Sequence, residues 1–183
     1  YRAKDMGRGV YSAYEPQLHV QAEERRVLEM ALRKALEKGE LHLDYQPVVD
    51  AGSGALTGFE ALLRWTHPEL GPISPAKFVP LAEDARLIAP IGEWVLRTAC
   101  HEAAQWPGHL RIAVNVSPDQ LGSPGFVSTV TSALAQSELL PHRLELEVTE
   151  SVFMHEGLGA TKVLDRVLDL GVRLSLDDFG TGY

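Results

Sequence analysis

From Leu110 onward the chain alternates short β-branched runs with amphipathic stretches, and a polar residue stands at or near the end of each run. Leu110–Val116, Leu144–Thr149 and Val172–Leu176 read as strands. Between them, Ser123-Pro124 opens a helix predicted to reach about Glu138, and a second helix runs to about Leu170. Such alternation predicts a parallel sheet with helices outside it and right-handed crossovers. The polar residues are Asn115, Glu147 and the pair Asp177-Asp178, at intervals of 147 − 115 = 32 and 177 − 147 = 30 residues. One strand–helix unit is about 30 residues, so each unit delivers one oxygen donor to the same end of the sheet, where α/β folds place their sites.

Upstream the pattern differs. Leu41–Val49 and Leu56–Trp65 are strand-like, and Asp50-Ala51-Gly52-Ser53-Gly54 between them reads as a hairpin loop, so these strands are expected to be antiparallel neighbours. A loop rich in Pro and Gly, residues 68–75, follows. Ser74-Pro75 then opens a helix to about Glu83, and another spans about Ile88–Gln105. Ahead of the hairpin, a helix from about Gln21 to Lys38 carries Val27, Leu28, Ala31, Leu32, Ala35 and Leu36 on one stripe. Glu23, Glu24, Arg25 and Arg33 face water, and Gly39 is the stop. Its charges suggest a solvated linker helix.

A formal net charge of -8 on 183 residues argues against a nucleic-acid polymer or direct contact with an anionic membrane, both of which need a basic footprint. Cys100 is the only cysteine, so no internal disulfide forms and a reducing cytoplasm is expected. No run reaches the roughly 18 apolar residues of a membrane span. The parent protein is expected to be longer and is compatible with an anchor elsewhere, since the chain opens on Tyr1 and ends on Tyr183. His101-Glu102 misses the zinc-protease helix pattern because Gln105 stands where the second histidine belongs. Trp65, Trp94 and Trp106 read as core or rim residues.

Glu60 lies on the second hairpin strand among Phe59, Ala61, Leu62 and Leu63, and Glu147 follows Leu144 and Leu146. Charges at a core edge are costly unless paired or metal-bound. Taken singly, each carboxylate is compatible with a cap, an ion pair or a surface position. Converging together, they would repel one another without a cation, and an all-oxygen set suits Mg²⁺, Mn²⁺ or Ca²⁺.

At these residues the sequence resembles the EAL-domain family of cyclic-di-GMP phosphodiesterases. The motifs are Glu60-Ala61-Leu62-Leu63-Arg64-Trp65, Asn115-Val116-Ser117, Glu145-Leu146-Glu147-Val148-Thr149-Glu150-Ser151 and Asp177-Asp178-Phe179-Gly180-Thr181-Gly182-Tyr183, with Tyr45-Gln46-Pro47 matching the opening strand. The resemblance implies an α/β fold, a modified TIM barrel with an antiparallel first strand, here incomplete after the fifth strand. By the same resemblance, Glu60, Asn115, Glu147 and Asp177 hold one Mg²⁺ or Mn²⁺, and Asp177 bridges to a second ion bound by Asp178. Water is then activated to open cyclic-di-GMP to linear pGpG, so Glu60, Asp177 and Asp178 count as catalytic. Gln46 and Arg64 contact the dinucleotide, with a surface ion pair as the other reading of Arg64. Glu150 supports the mobile loop that begins at Phe179. Residues 1–14 resemble the end of a GGDEF domain, 15–39 the linker helix and 40–183 the EAL domain; the intact protein is expected to be a homodimer.

A complete barrel needs eight strands and about 250 residues. The resemblance places a catalytic lysine and a later glutamate beyond Tyr183, so the 183-residue stretch alone is expected to be inactive. A degenerate, non-catalytic cyclic-di-GMP receptor or scaffold is the alternative function.

Overall fold

The computed structural model describes residues 16–149 and 157–177, with side chains from 23 to 149 and from 159 to 176. The segment likened to a GGDEF end, Glu150, Asp178 and the loop from Phe179 lie outside the described residues, as does the side chain of Asp177. Helix α1 (Pro16–Ala35) leads into strands β1 (Leu41–Val49), β2 (Leu56–His67) and β3 (Gly71–Ile73). Then come α2 (Pro75–Asp84), α3 (Ile88–Ala104), β4 (Arg111–Val116), α4 (Pro118–Leu121), α5 (Phe126–Ser137), β5 (Leu144–Thr149), α6 (Gly157–Asp169) and β6 (Arg173–Asp177).

The sheet runs β1-β2-β4-β5-β6, with β3 paired to β2 off this path. As expected, β1 and β2 are antiparallel, with Gln46 opposite Glu60 and His42 opposite Arg64. The Asp50 carboxylate closes their loop by accepting from the Ser53 backbone N–H at 2.8 Å and from its hydroxyl at 2.7 Å. The pairs β2–β4, β4–β5 and β5–β6 are all parallel. Period-2 burial sorts the residues onto two faces. Ile112, Val114, Leu144, Leu146 and Val148 are buried under the helices, and Trp65 meets Phe78 of α2 edge-on with ring centroids 5.7 Å apart. The alternate positions, Glu60, Asn115 and Glu147 among them, lie on the opposite face.

Two short elements depart from the sequence reading. The segment 68–75 is not all loop. Nδ1 of His67 accepts the N–H groups of Glu69 and Leu70, each at 3.2 Å, and turns the chain so that Gly71–Ile73 returns along β2. The helix expected at Ser123 begins at Phe126, because the Ser123 hydroxyl instead donates to the Asp119 carbonyl at the end of the short helix α4. That helix has a reciprocal capping box: Ser117 Oγ accepts from Gln120 N–H, and Gln120 Oε1 accepts from Ser117 N–H.

Helix α1 is more than a solvated linker. Leu28, Leu32 and Ala35 belong to the core, and Lys77–Glu24 and Arg25–Asp84 ion pairs tie its outer side to α2. Val27, expected on the buried stripe, is 41% exposed, since the line of contact follows Leu28, Leu32 and Ala35. The helix ends at Ala35, a turn earlier than expected, and the chain passes through Gly39 at φ +66°, the left-handed stop that glycine accommodates. Among the described residues no helix is long and apolar enough to cross a membrane.

Candidate functional site

Parallel register decides which polar side chains meet. Asn115 pairs with Glu147, Glu147 with Ser175, and Thr149 with Asp177. Glu60 pairs with Ala113, one alternation below Asn115 on the same face. The Asn115 amide reaches back across this step, and its Nδ2 donates to Glu60 Oε1 at 2.7 Å. An ionised carboxylate only accepts, so this bond fixes the amide orientation and leaves Asn115 Oδ1 for another donor or a cation. Glu60, Asn115 and Glu147 thus share the open face at adjacent positions of three neighbouring strands. Gln46 is exposed directly across from Glu60. Asp177 ends β6 beside Thr149. Asp178 and Glu150 lie outside the described residues.

A groove of 510 Å³ opens along the carboxyl ends of β2, β4 and β5, with Arg64, Asn115, Glu147 and Thr149 on the sheet side and Val79 and Glu83 from α2 opposite. Arg64 does not stand alone in it. Its Nε donates to Asp44 Oδ2 at 2.8 Å, and Nη1 donates to the Leu63 carbonyl at 3.1 Å. Arg64 is thus ion-paired to Asp44 while it lines the groove.

Glu83 gave no signal in the sequence, because a single acid near a helix end has no periodicity to distinguish it. Burial, then the nearby Asp119 and Asp84 charges, raise its carboxyl above the ordinary glutamate range. Ser175 was also missed. Its hydroxyl is buried beside Glu147 with no hydrogen-bond partner among the described residues. Lower on the same face, Glu145 lies 3.9 Å from Arg111 and 3.8 Å from Arg173. Among the described residues no three His, Cys, Asp or Glu side chains converge to hold a metal ion. Among the described side chains, those that meet at Asn115 are its own amide and the carboxylates of Glu60 and Glu147.

Residues 29–183 match the family model described as EAL domain. The bifunctional diguanylate cyclase/cyclic di-GMP phosphodiesterase MucR of Pseudomonas aeruginosa is 46% identical over 187 residues, covering 100% of this chain and 27% of that protein. The cyclic di-GMP phosphodiesterase PA2567 of the same organism is 41% identical over 186 residues, covering 99% of this chain and 31% of that protein. A solved structure of the PaMucR phosphodiesterase in complex with c-di-GMP superposes with a TM-score of 0.81 at 46% identity, covering 85% of this chain and 65% of that one. The chain therefore spans about a quarter to a third of the length of these curated relatives. The mixed α/β architecture, with its antiparallel opening hairpin and parallel strands, is that of a partial TIM-like barrel. With a family match over residues 29–183 and a shared fold, this chain belongs to the EAL domain family.

Proposed function

We propose that this chain is the metal-holding part of a phosphodiesterase that hydrolyses cyclic-di-GMP to linear pGpG. The observation that carries this reading is the pair Asn115 and Glu147 lining the groove, with Glu60 bonded to the Asn115 amide, in a chain 41–46% identical to relatives named as cyclic di-GMP phosphodiesterases.

The donors fit a hard divalent cation, Mg²⁺ or Mn²⁺. All are oxygens, two are carboxylates, and the bond from Nδ2 to Glu60 leaves the amide oxygen of Asn115 available. Glu60, Asn115, Glu147 and Asp177 would hold one ion, with Asp177 and Asp178 serving a second. Bound there, the ions would lower the pKa of water and stabilise the entering and leaving oxygens of an in-line displacement. The protein's own part is positional. Asn115 holds the Glu60 carboxylate in one orientation, the groove admits the dinucleotide, Arg64 offers its guanidinium to a phosphate and Gln46 contacts the ligand from β1. Glu150 supports the loop after β6. Residues 1–14 fit the end of a preceding GGDEF domain, a reading supported by MucR's bifunctional name and by its match along this whole chain.

The test is to incubate the full-length parent protein with cyclic-di-GMP and Mn²⁺ and separate the products. Linear pGpG is expected, falling at least about 100-fold in Glu60→Gln. Tight binding of cyclic-di-GMP by the wild type with no pGpG formed would replace this reading with that of a receptor.

A further inference from the structure

We propose that Asp44 is a positioning residue that sets Arg64 for the phosphate of the dinucleotide; this rests on the function proposed above. Asp44 lies on β1, at an edge of the sheet, and Arg64 on β2, which pairs with β4 and β3 as well as with β1. Asp44 is opposite Leu62 and Arg64 is opposite His42, so the ion pair is a diagonal one across the hairpin. Asp44 therefore grips the guanidinium from the side of the sheet away from Asn115 and Glu147, while Arg64 itself lines the groove with them.

The donor count gives the grip its consequence. A guanidinium has five N–H donors in a fixed plane. Nε–H goes to Asp44 and one Nη1–H to the Leu63 carbonyl. Both Nη2 donors and the second Nη1 donor keep no protein acceptor among the described residues. Two anchors on a planar group fix its plane and leave three N–H donors, both of those on Nη2 among them, for a phosphate. Without Asp44 the long side chain swings on its stem, and binding has to order it.

The pair is half exposed, with side-chain accessibilities of 34% for Arg64 and 57% for Asp44, so its value to the fold is small. Its value to the ligand is the ordering already done before binding. The carboxylate also repels a phosphate, and salt at about 0.15 M, with a Debye length of about 8 Å, weakens that repulsion only in part. His42, with Nε2 4.0 Å from the other Asp44 oxygen, is the second basic group on this carboxylate.

The experiment measures kcat and KM for cyclic-di-GMP on the full-length protein at about 0.15 M salt, for wild type, Asp44→Asn, Asp44→Glu, Arg64→Lys and the double variant Asp44→Asn/Arg64→Lys. Asp44→Asn is expected to raise KM about three- to tenfold, the cost of ordering one long side chain, with kcat within about twofold. Asp44→Glu, which keeps the ion pair, should recover most of that loss. The double variant should be no worse than Arg64→Lys alone, because the role of Asp44 runs through Arg64. An unchanged or lower KM in Asp44→Asn, or additive effects in the double variant, would overturn the inference while leaving the function intact. A wild type that neither cuts nor binds cyclic-di-GMP would remove the function and this inference together.

Discussion

Arg143 is buried at 6% exposure, and its hydrogen-bond partners are main-chain carbonyls. Nε donates to the Leu110 carbonyl at 2.8 Å and Nη2 to that of Ala103 at 2.7 Å, with longer contacts to Trp106 at 3.4 Å and Pro107 at 3.3 Å. The guanidinium thus sits at the carboxyl end of α3, where the helix dipole favours a cation, and ties that end to the residue before β4, the strand carrying Asn115. Arg143→Met keeps most of the stem and removes the head. Ala103 O still accepts from the Trp106 N–H, so its loss is partial, whereas Leu110 O loses its short partner outright. Two short charge-assisted bonds at about 1.5–3 kcal/mol each, discounted for the relieved desolvation of the cation, leave a net destabilisation of about 2–4 kcal/mol. Urea unfolding of wild type and variant reads this as a midpoint lowered by about 1–2 M for a slope near 2 kcal/mol/M, with the slope unchanged. Arg143→Lys, with a point charge in place of a fork, should fall between them. A loss below about 1 kcal/mol in Arg143→Met would refute the reasoning, because the carbonyls would then be satisfied equally well without the guanidinium.

Three further outcomes follow from single positions. A Cβ at Gly58 would lie 2.3 Å from the Arg111 carbonyl oxygen, a main-chain atom of the neighbouring strand, so Gly58→Ala should cost about 1–3 kcal/mol, read as a lower Tm; an unchanged Tm would mean that β2 and β4 separate freely. Burial pushes the Cys100 thiol up to about 12, so iodoacetamide at pH 8 should leave the native protein unlabelled and modify it in denaturant; native labelling at the rate of a free thiol would contradict the burial. Glu83 has a raised folded-state pKa, from burial first and the Asp119 and Asp84 charges after it, so its protonated form favours the fold. Its contribution is present below the ordinary glutamate range and is lost as pH rises through the raised value. Glu83→Gln should therefore flatten that fall and leave the protein more stable than wild type at pH 7, and equal stability at pH 7 would show the carboxylate to be solvated.

What the sequence determined by itself is the repeating order of the chain and the residues that end each strand. Long elements announce themselves through periodicity, and β5 runs from Leu144 to Thr149 as expected because six residues of alternating character suffice. Equal unit lengths then carry Asn115 and Glu147 to adjacent register positions with no knowledge of the packing. The tertiary structure decided the rest. β3 and α4, of three and four residues, are too short for any periodic signal and exist because of His67 Nδ1 and the Ser117–Gln120 capping box. Which side of α1 is buried follows from where α2 lies, so Leu28 enters the core while Val27 stays exposed. The bond from Asn115 to Glu60, the hold of Asp44 on Arg64 and the raised carboxyl of Glu83 each join residues from different elements. Pattern along the chain fixes which face a residue occupies; distance across the sheet, which only the fold supplies, fixes what it touches there.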